Sequence, residues 1–299
     1  MTDNIQHAGM IAVIGRPNVG KSTLVNALVG SKVSIVTAKP QTTRHRVMGV
    51  VNREASQMVF VDTPGIHEET PRRMNRMMNR AAESVAADAD VVLFLVSAGE
   101  WGRAEEQILA QLRESSVPVG LVVNKVDRYP QKEELLPFLA ECGDRMDFAF
   151  VVPLSAQRAQ NLDALEKEII ARLPESPPLF PPQQKTDQSP RMLAAEVVRE
   201  KLMERVHKEV PYAVAVQVEN LETSGRLCRL QVIIWVEREG QKGIVIGEHG
   251  AVLKQIGTAS RKELEARWGC RVHLDLWVKI RGGWPDDERI LGEMGIAPE

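Results

Sequence analysis

The sequence predicts an α/β domain built on a mostly parallel sheet, followed by a small α+β domain. Three observations carry this. Short apolar runs alternate with helical patterns over residues 1–173, a proline-rich span occupies 174–190, and from 191 to 299 the order of patterns changes. A chain of 299 residues suits two domains, and a hydrophobic content of 43% can give each a core.

The apolar runs of the first part are Met10–Ile14, Met58–Val61, Val91–Val96, Val119–Val123 and Phe148–Val152. Near-continuous apolar strands separated by helices mean a parallel sheet covered on both faces. Alternation around Arg46–Asn52 predicts an antiparallel edge strand. Pro174–Pro190 holds six prolines among polar residues and reads as a semi-extended linker, with an ordered loop packed on a domain as the alternative. Beyond it the patterns predict a helix over Met192–Lys208, strands at Tyr212–Val218 and Leu230–Val236 and a glycine-flanked turn. Helices from about Ala251 and Thr258 and a strand at Val272–Ile280 complete the domain. Just after residue 65, Arg72, Arg76 and Arg80 face away from Met74, Met77 and Met78, an amphipathic helix. Its arginines are expected in solvent and its methionines in the core; a helix that slides when nucleotide changes is the functional alternative.

A net charge of -2 neither announces nor excludes a nucleic-acid partner, so any basic patch must be local. Cys142, Cys228 and Cys270 lie far apart in the chain with no metal or redox spacing, which predicts small core thiols in a reducing cytosol. Residues 1–9 carry no signal pattern, and no apolar run approaches the ~18 residues of a membrane span. A cytoplasmic monomer is expected.

Gly15-Arg16-Pro17-Asn18-Val19-Gly20-Lys21-Ser22, followed by Thr23, matches the phosphate-binding loop between an apolar strand and a helix. Its glycines let backbone N–H groups and the helix N-terminus wrap around phosphates. Lys21 is expected at the β/γ-phosphates and Ser22 on Mg²⁺. Asp62-Thr63-Pro64-Gly65 closes the strand Met58–Val61: Asp62 can hold Mg²⁺ through a water, and the Gly65 N–H can meet the γ-phosphate. Between these motifs lies Gln41-Thr42-Thr43-Arg44-His45-Arg46, where Thr43, or failing it Thr42, should close on Mg²⁺ and the γ-phosphate. Lys21, Thr43, Asp62 and Gly65 form the expected catalytic set.

Asn124-Lys125-Val126-Asp127 follows the strand Val119–Val123. A carboxylate at Asp127 accepts two hydrogen bonds from guanine, whose N1–H and 2-amino group are adjacent donors. Adenine has no such pair and should be rejected by a factor on the order of 10⁴. Asn124 should tie this loop to the phosphate loop, Lys125 should lie over the base, and Ser155-Ala156 should give a backbone N–H to the guanine oxygen. Four motifs at the ends of successive strands predict binding and hydrolysis of GTP. Ile66 stands where many GTPases have a water-orienting glutamine, so turnover should sit near the bottom of the unassisted range, ~10⁻⁴–10⁻² s⁻¹.

Val245-Ile246-Gly247-Glu248-His249-Gly250 precedes a helix in the second domain, and Gly-x-x-Gly between two helices in this element order predicts a KH RNA-binding domain. Glu248 puts an acid where a basic residue is common, and His249 need not compensate at neutral pH. Phosphate affinity should then lean on Lys242, Lys254, Arg261, Lys262, Lys279 or Arg281.

The phosphate loop, the Gln-Thr-Thr-Arg switch, Ile66 and a proline-rich linker to a KH domain together resemble the Era family of bacterial GTPases. Glu237-Arg238-Glu239-Gly240-Gln241-Lys242, Leu276-Trp277-Val278-Lys279 and Gly283-Trp284-Pro285-Asp286-Asp287-Glu288 extend the likeness over nearly the whole chain. The resemblance implies a Ras-like GTPase domain and a type II KH domain. It implies binding to the single-stranded 3′ end of small-subunit (16S) ribosomal RNA and a role in small-subunit maturation. Peripheral contact with the inner face of the cell membrane is a further implication. Related GTPases with an asparagine at the position of Asn18 imply a K⁺ ion held by its side-chain carbonyl. An RNA chaperone with structural GTP is the alternative reading, and a GTP-consuming kinase is the third.

Overall fold

The computed structural model describes residues 6–65 and 73–293. It divides into two compact units, with the changeover between Asp187 and Gln188.

The first unit contains β1 (His7–Ile14), α1 (Lys21–Val29), β2 (Val47–Arg53), β3 (Ser56–Asp62), α2 (Arg73–Ala87), β4 (Val91–Ser97), α3 (Arg103–Leu112), β5 (Val119–Asn124), α4 (Leu136–Gly143), β6 (Phe150–Pro153) and α5 (Leu162–Ile170). The strands form one sheet in the order β2-β3-β1-β4-β5-β6. All pairs are parallel except β2 with β3, so the alternating edge strand is antiparallel as its pattern predicts. β3 and β4 are buried at every position because helices cover both faces. One apolar cluster packs under α1 and α5 and another under α3 and α4. Strand order reverses at β1, between β3 and β4, the switch point where ligands enter such sheets. In α2, Met74 and Met78 are fully buried while Arg76 and Arg80 point outward. Arg72 and Ile66 lie outside the described residues.

The expected linker is corrected by the structure. Through Asp187 it is a strap laid along the antiparallel edge. Gln57, fully buried in β3, anchors it: its Oε1 accepts from the N–H groups of Leu179 (2.7 Å) and Phe180 (2.9 Å), and its Nε2 donates to the Phe180 carbonyl (2.8 Å). Further along, Val50 N–H donates to the Lys185 carbonyl and Met48 N–H to Asp187 Oδ1, each at 3.0 Å. Proline removes donors from a chain but not its carbonyls, so a proline-rich segment can still cap a sheet edge.

The second unit runs α6 (Pro190–Arg205), β7 (Val214–Ser224), β8 (Leu227–Val236), α7 (Glu239–Ile246), α8 (Ala251–Trp268), β9 (Arg271–Ile280) and α9 (Glu288–Glu293). β7 is antiparallel to β8, and β8 is parallel to β9. The helix expected to start near Thr258 is instead the second half of α8, which is continuous from Ala251. The other helix of the pair is α7, where a turn was expected, because its two glycines, Gly240 and Gly243, hid the helical pattern. Trp284 is fully buried and its indole N–H donates to the Ala213 carbonyl at 3.2 Å, fastening the segment after β9.

Gln57→Ala removes the strap's anchor and leaves its backbone groups to find water. The expected loss is about 1–3 kcal/mol of stability, read as a lower urea midpoint, together with new protease cleavage inside residues 178–187. A strap that stays protected in the variant would show that the anchor lies elsewhere.

Candidate functional site

The motifs at the carboxyl ends of β1, β3, β5 and β6 converge. Gly20, which precedes α1, has φ 105°, and a Cβ there would lie 2.3 Å from Asn124 Nδ2. Glycine is therefore required both by conformation and by the neighbour that reaches over it. Lys21 is buried, and its Nζ donates to the Gly15 carbonyl at 2.8 Å and the Arg16 carbonyl at 3.1 Å. Burial lowers its pKa to about 8, against the opposing pull of Asp62. The Arg16 guanidinium pairs with Glu105, buried at the start of α3, and with Glu100. Sequence reading missed both acids; the local signal is at Glu105 alone, whose carboxylate caps the start of α3 by accepting from the Gly102 N–H at 3.0 Å.

Ser22, Thr43 and Asp62 form a cluster of oxygens. Ser22 Oγ lies 3.0 Å from Thr43 Oγ1, which donates to Asp62 Oδ2 at 3.3 Å. Asp62 is fully buried, and its Oδ1 has no hydrogen-bond donor. Burial pushes its carboxyl pKa up, against the Ser22 hydroxyl and the Lys21 ammonium. Of the two threonines, Thr43 faces this cluster, whereas the Thr42 hydroxyl is turned to Thr37 and the Lys39 carbonyl, each at 2.7 Å. Thr63 ties β3 to β1 through the Val13 carbonyl (2.8 Å) and is buried away from the cleft. Gly65, after Pro64, sits so close to Pro17 that a Cβ would lie 2.9 Å from the Pro17 nitrogen. The resulting cleft has a volume of about 480 Å³ and is lined by Pro17, Asn18, Gly20, Lys21, Ser22, Thr23, Thr43 and Gly65, with Lys125, Arg128 and Gln157 at its other end.

Asn124 joins three loops. Its Nδ2 donates to the Val19 carbonyl at 2.8 Å, and its Oδ1 accepts from the N–H groups of Lys125 (2.8 Å) and Ala156 (3.0 Å). Lys125 is left-handed (φ 67°), and its Nζ reaches the Asn18 carbonyl at 2.6 Å. One expectation is corrected here. The Ala156 N–H is taken by Asn124 and the Ser155 N–H by the Gln160 carbonyl (3.2 Å), so neither is open to a ligand. Asp127 borders a separate hollow beside Arg158, and its Oδ1 accepts from the Ser155 hydroxyl at 2.5 Å. Gln157, not singled out from sequence, lines the cleft instead.

In the second unit the glycine loop lies between α7 and α8. Gly247 (φ 74°) has Val252 so close that a Cβ would lie 2.4 Å from it, whereas Gly250 (φ 77°) faces open space. Glu248 and His249 are almost fully exposed. The basic candidates do not gather at this loop. Lys254 is exposed on the first turn of α8. Lys242 lies 3.9 Å from Glu239, Arg261 pairs with Glu265 at 3.3 Å, and Lys279 stands over the Trp235 ring on the sheet.

Comparison with known proteins matches the chain to two families: one described as 50S ribosome-binding GTPase over residues 10–125, and the KH domain over residues 209–285. The GTPase Era of Stenotrophomonas maltophilia is 50% identical, covering 97% of each chain, and that of Histophilus somni is 45% identical over the full length of both. Among solved structures, Era in complex with MgGDPNP and nucleotides 1506–1542 of 16S ribosomal RNA has a TM-score of 0.95 at 38% identity, covering 98% of this chain and all of that one. A variant Era of Aquifex aeolicus bound to GDP and AlF4⁻ has a TM-score of 0.94 at 39% identity with the same coverage. The chain belongs to the Era family of GTPases.

This Era-family chain pays for its buried lysine in stability. The Lys21 pKa is about 8 in the folded state against 10.5 in the unfolded one. Between those values the unfolded chain binds one proton more than the native state, so stability rises with pH. The penalty is fully present below pH 8 and relieved towards pH 10.5, by roughly 3 kcal/mol at most. Chemical denaturation of the nucleotide-free protein at pH 7.5 and 10, beside Lys21→Met, isolates this contribution: the gain should be larger in the parent than in the variant. Parallel curves would mean that the lysine is already satisfied.

Proposed function

We propose that this chain is a GTP-driven switch that binds the single-stranded 3′ end of small-subunit ribosomal RNA and acts in small-subunit assembly. The observation that carries the reading is the shared two-unit architecture with the Era structure that holds MgGDPNP and 16S RNA. One matched family's description names the 50S particle, but that match covers residues 10–125 alone, whereas the relative solved with 16S RNA matches nearly the whole chain.

Each part has a local basis. Mg²⁺ fits the hydroxyls of Ser22 and Thr43 beside the undonated Oδ1 of Asp62, an oxygen set suited to a hard cation. When bound, it supplies positive charge against the triphosphate. Lys21, already deprived of water, gains phosphate oxygens in place of two backbone carbonyls, and Gly65, which lines the same cleft, gives its N–H to the γ-phosphate. Asp127 reads guanine once it exchanges the Ser155 hydroxyl for the base edge. Because the Ala156 N–H is committed to Asn124, the guanine oxygen falls to the backbone of Gln157. Asn18 donates through Nδ2 to the Ala38 carbonyl at 3.0 Å, which leaves its Oδ1 to hold K⁺. No helix among the described residues is long and apolar enough to cross a membrane. A cytoplasmic monomer with peripheral contact to the inner membrane face rests on the family resemblance.

Filter binding with the 16S 3′ tail, a scrambled tail, GDP and a non-hydrolysable GTP analogue tests the switch. The tail should bind at least about tenfold more tightly than the scramble, and the two nucleotides should give different affinities. Gly250→Asp should weaken RNA tenfold or more while leaving GTP affinity intact, since it adds a carboxylate to the loop in open space and aspartate tolerates the left-handed region. Gly247→Asp is a poorer probe because Val252 blocks it. Equal RNA affinity in both nucleotide states would favour the RNA chaperone.

GTP hydrolysis should run faster in K⁺ than in Na⁺ at matched ionic strength, since a cation on Asn18 Oδ1 would stabilise developing phosphate charge. Equal rates would leave Asn18 as a brace for Ala38.

A further inference from the structure

We propose that Cys228 and Cys270 form a modification site, a paired dithiol that a peroxide converts to a disulfide inside the KH unit. The two residues are 42 apart in the chain, yet their Sγ atoms lie 3.0 Å apart. Sequence spacing concealed this, and the expectation of three isolated core thiols is corrected. β8 and β9 bring the pair together: Cys228 is in register with Val272, and the Arg271 N–H donates to the Arg226 carbonyl at 2.9 Å. Cys270 follows Gly269, the left-handed residue that ends α8. Cys228 is buried and Cys270 half-buried, so a small oxidant has one sulfur to reach.

The chemistry closes with one molecule of peroxide. Cys270, as thiolate, attacks a peroxide oxygen; the O–O bond breaks, the sulfur becomes a sulfenic acid, and the other oxygen leaves as water after taking a proton. Cys228 then attacks the Cys270 sulfur, the S–O bond breaks, and the hydroxyl leaves as water with the Cys228 proton. Two thiols lose two electrons and two hydrogens, and peroxide is reduced to two waters. The sulfurs must close by about 1 Å to reach bonding distance. The hydrogen bond with Cys228, then burial, Cys228 itself and the Glu265 carboxylate raise the Cys270 pKa, so Cys270 rests as a thiol and reacts slowly. The disulfide encloses α7, the glycine loop and α8, and restricts the unfolded chain over that whole stretch.

Cys142 supplies an internal control. It is buried in α4 of the other unit, and burial pushes its thiol up to about 11. The test treats the full-length protein with hydrogen peroxide, denatures it, alkylates free thiols and measures intact mass, with peptide mapping. The expected product has lost two hydrogens, carries one alkyl group on Cys142 and contains a peptide linking Cys228 to Cys270. Its KH unfolding transition should rise by several degrees and return on reduction. Cys270→Ser should show neither the link nor the shift. Three alkyl groups, a link involving Cys142, chains joined to each other, or sulfinic acid in place of the link would each overturn the proposal, as would an unfolding transition indifferent to reduction.

Discussion

The site is organised by the side chain of Asn124. An amide has one donor face and one acceptor face, and here the donor takes the carbonyl of Val19 while the acceptor takes the N–H groups of Lys125 and Ala156. These belong to loops after three different strands. Each loop alone would be a surface connection with several conformations; joined through one buried amide they share a single geometry. The arrangement dictates its neighbours. Gly20 must lack a Cβ because Asn124 passes over it. Lys125 takes a left-handed backbone and sends its ammonium to the Asn18 carbonyl, which adds a second tie between the same loops. Aspartate would keep the shape but lose the donor, and leucine would strand three backbone groups in a buried place.

Around this brace the charges are poorly satisfied. Lys21 has carbonyl partners but little water, and Asp62 keeps one oxygen without a donor. Each is pushed towards its neutral form by burial. A site meant only to be stable would pair them or fill the space with apolar groups. The strain is acceptable in a site that receives a phosphate chain and a divalent cation, because each incoming charge removes a penalty the empty protein already carries. Binding energy then comes partly from relief of burial, and the site discriminates for ligands that carry both charges.

The fold was legible where periodicity and burial coincide. Strands β1, β3, β4 and β5 are nearly unbroken apolar runs because helices cover both faces, and the motifs after β1, β3 and β5 lie at carboxyl ends, where the rule for such sheets looks for ligands. Legibility failed where a partner distant in sequence decided the outcome. Nothing local shows that Gln57 binds the backbone of Leu179 and Phe180, so the proline-rich span read as a linker. α7 contains Gly240 and Gly243, poor helix formers, and is held by the helix and strand it packs on. The Ser155-Ala156 pair was assigned a ligand because its motif sits in the right place, but Asn124 had already claimed the N–H. Motifs state which residues meet; they do not state which hydrogen-bonding groups remain open afterwards.

The glycine loop of the second unit follows from the same distinction. The two residues between its glycines, Glu248 and His249, project into solvent and bring no fixed positive charge. What the loop offers is backbone: Gly247, His249 and Gly250 all have positive φ, and α8 begins immediately afterwards. Two N–H groups of the loop are spent, since Gly247 donates to the Gly243 carbonyl at 2.8 Å and Gly250 to the Gly247 carbonyl at 3.1 Å. The helix start beyond it retains N–H groups without intrahelical partners. Of the basic residues, only Lys254 lies on that first turn, while Arg261 is held by Glu265 further along the helix. A polyanion approaching this loop therefore meets shape and helix dipole before it meets side-chain charge. At Gly250 a Cβ would meet nothing within 4 Å, so the loop's backbone lies open on that side, and Glu248 stands almost fully exposed beside it.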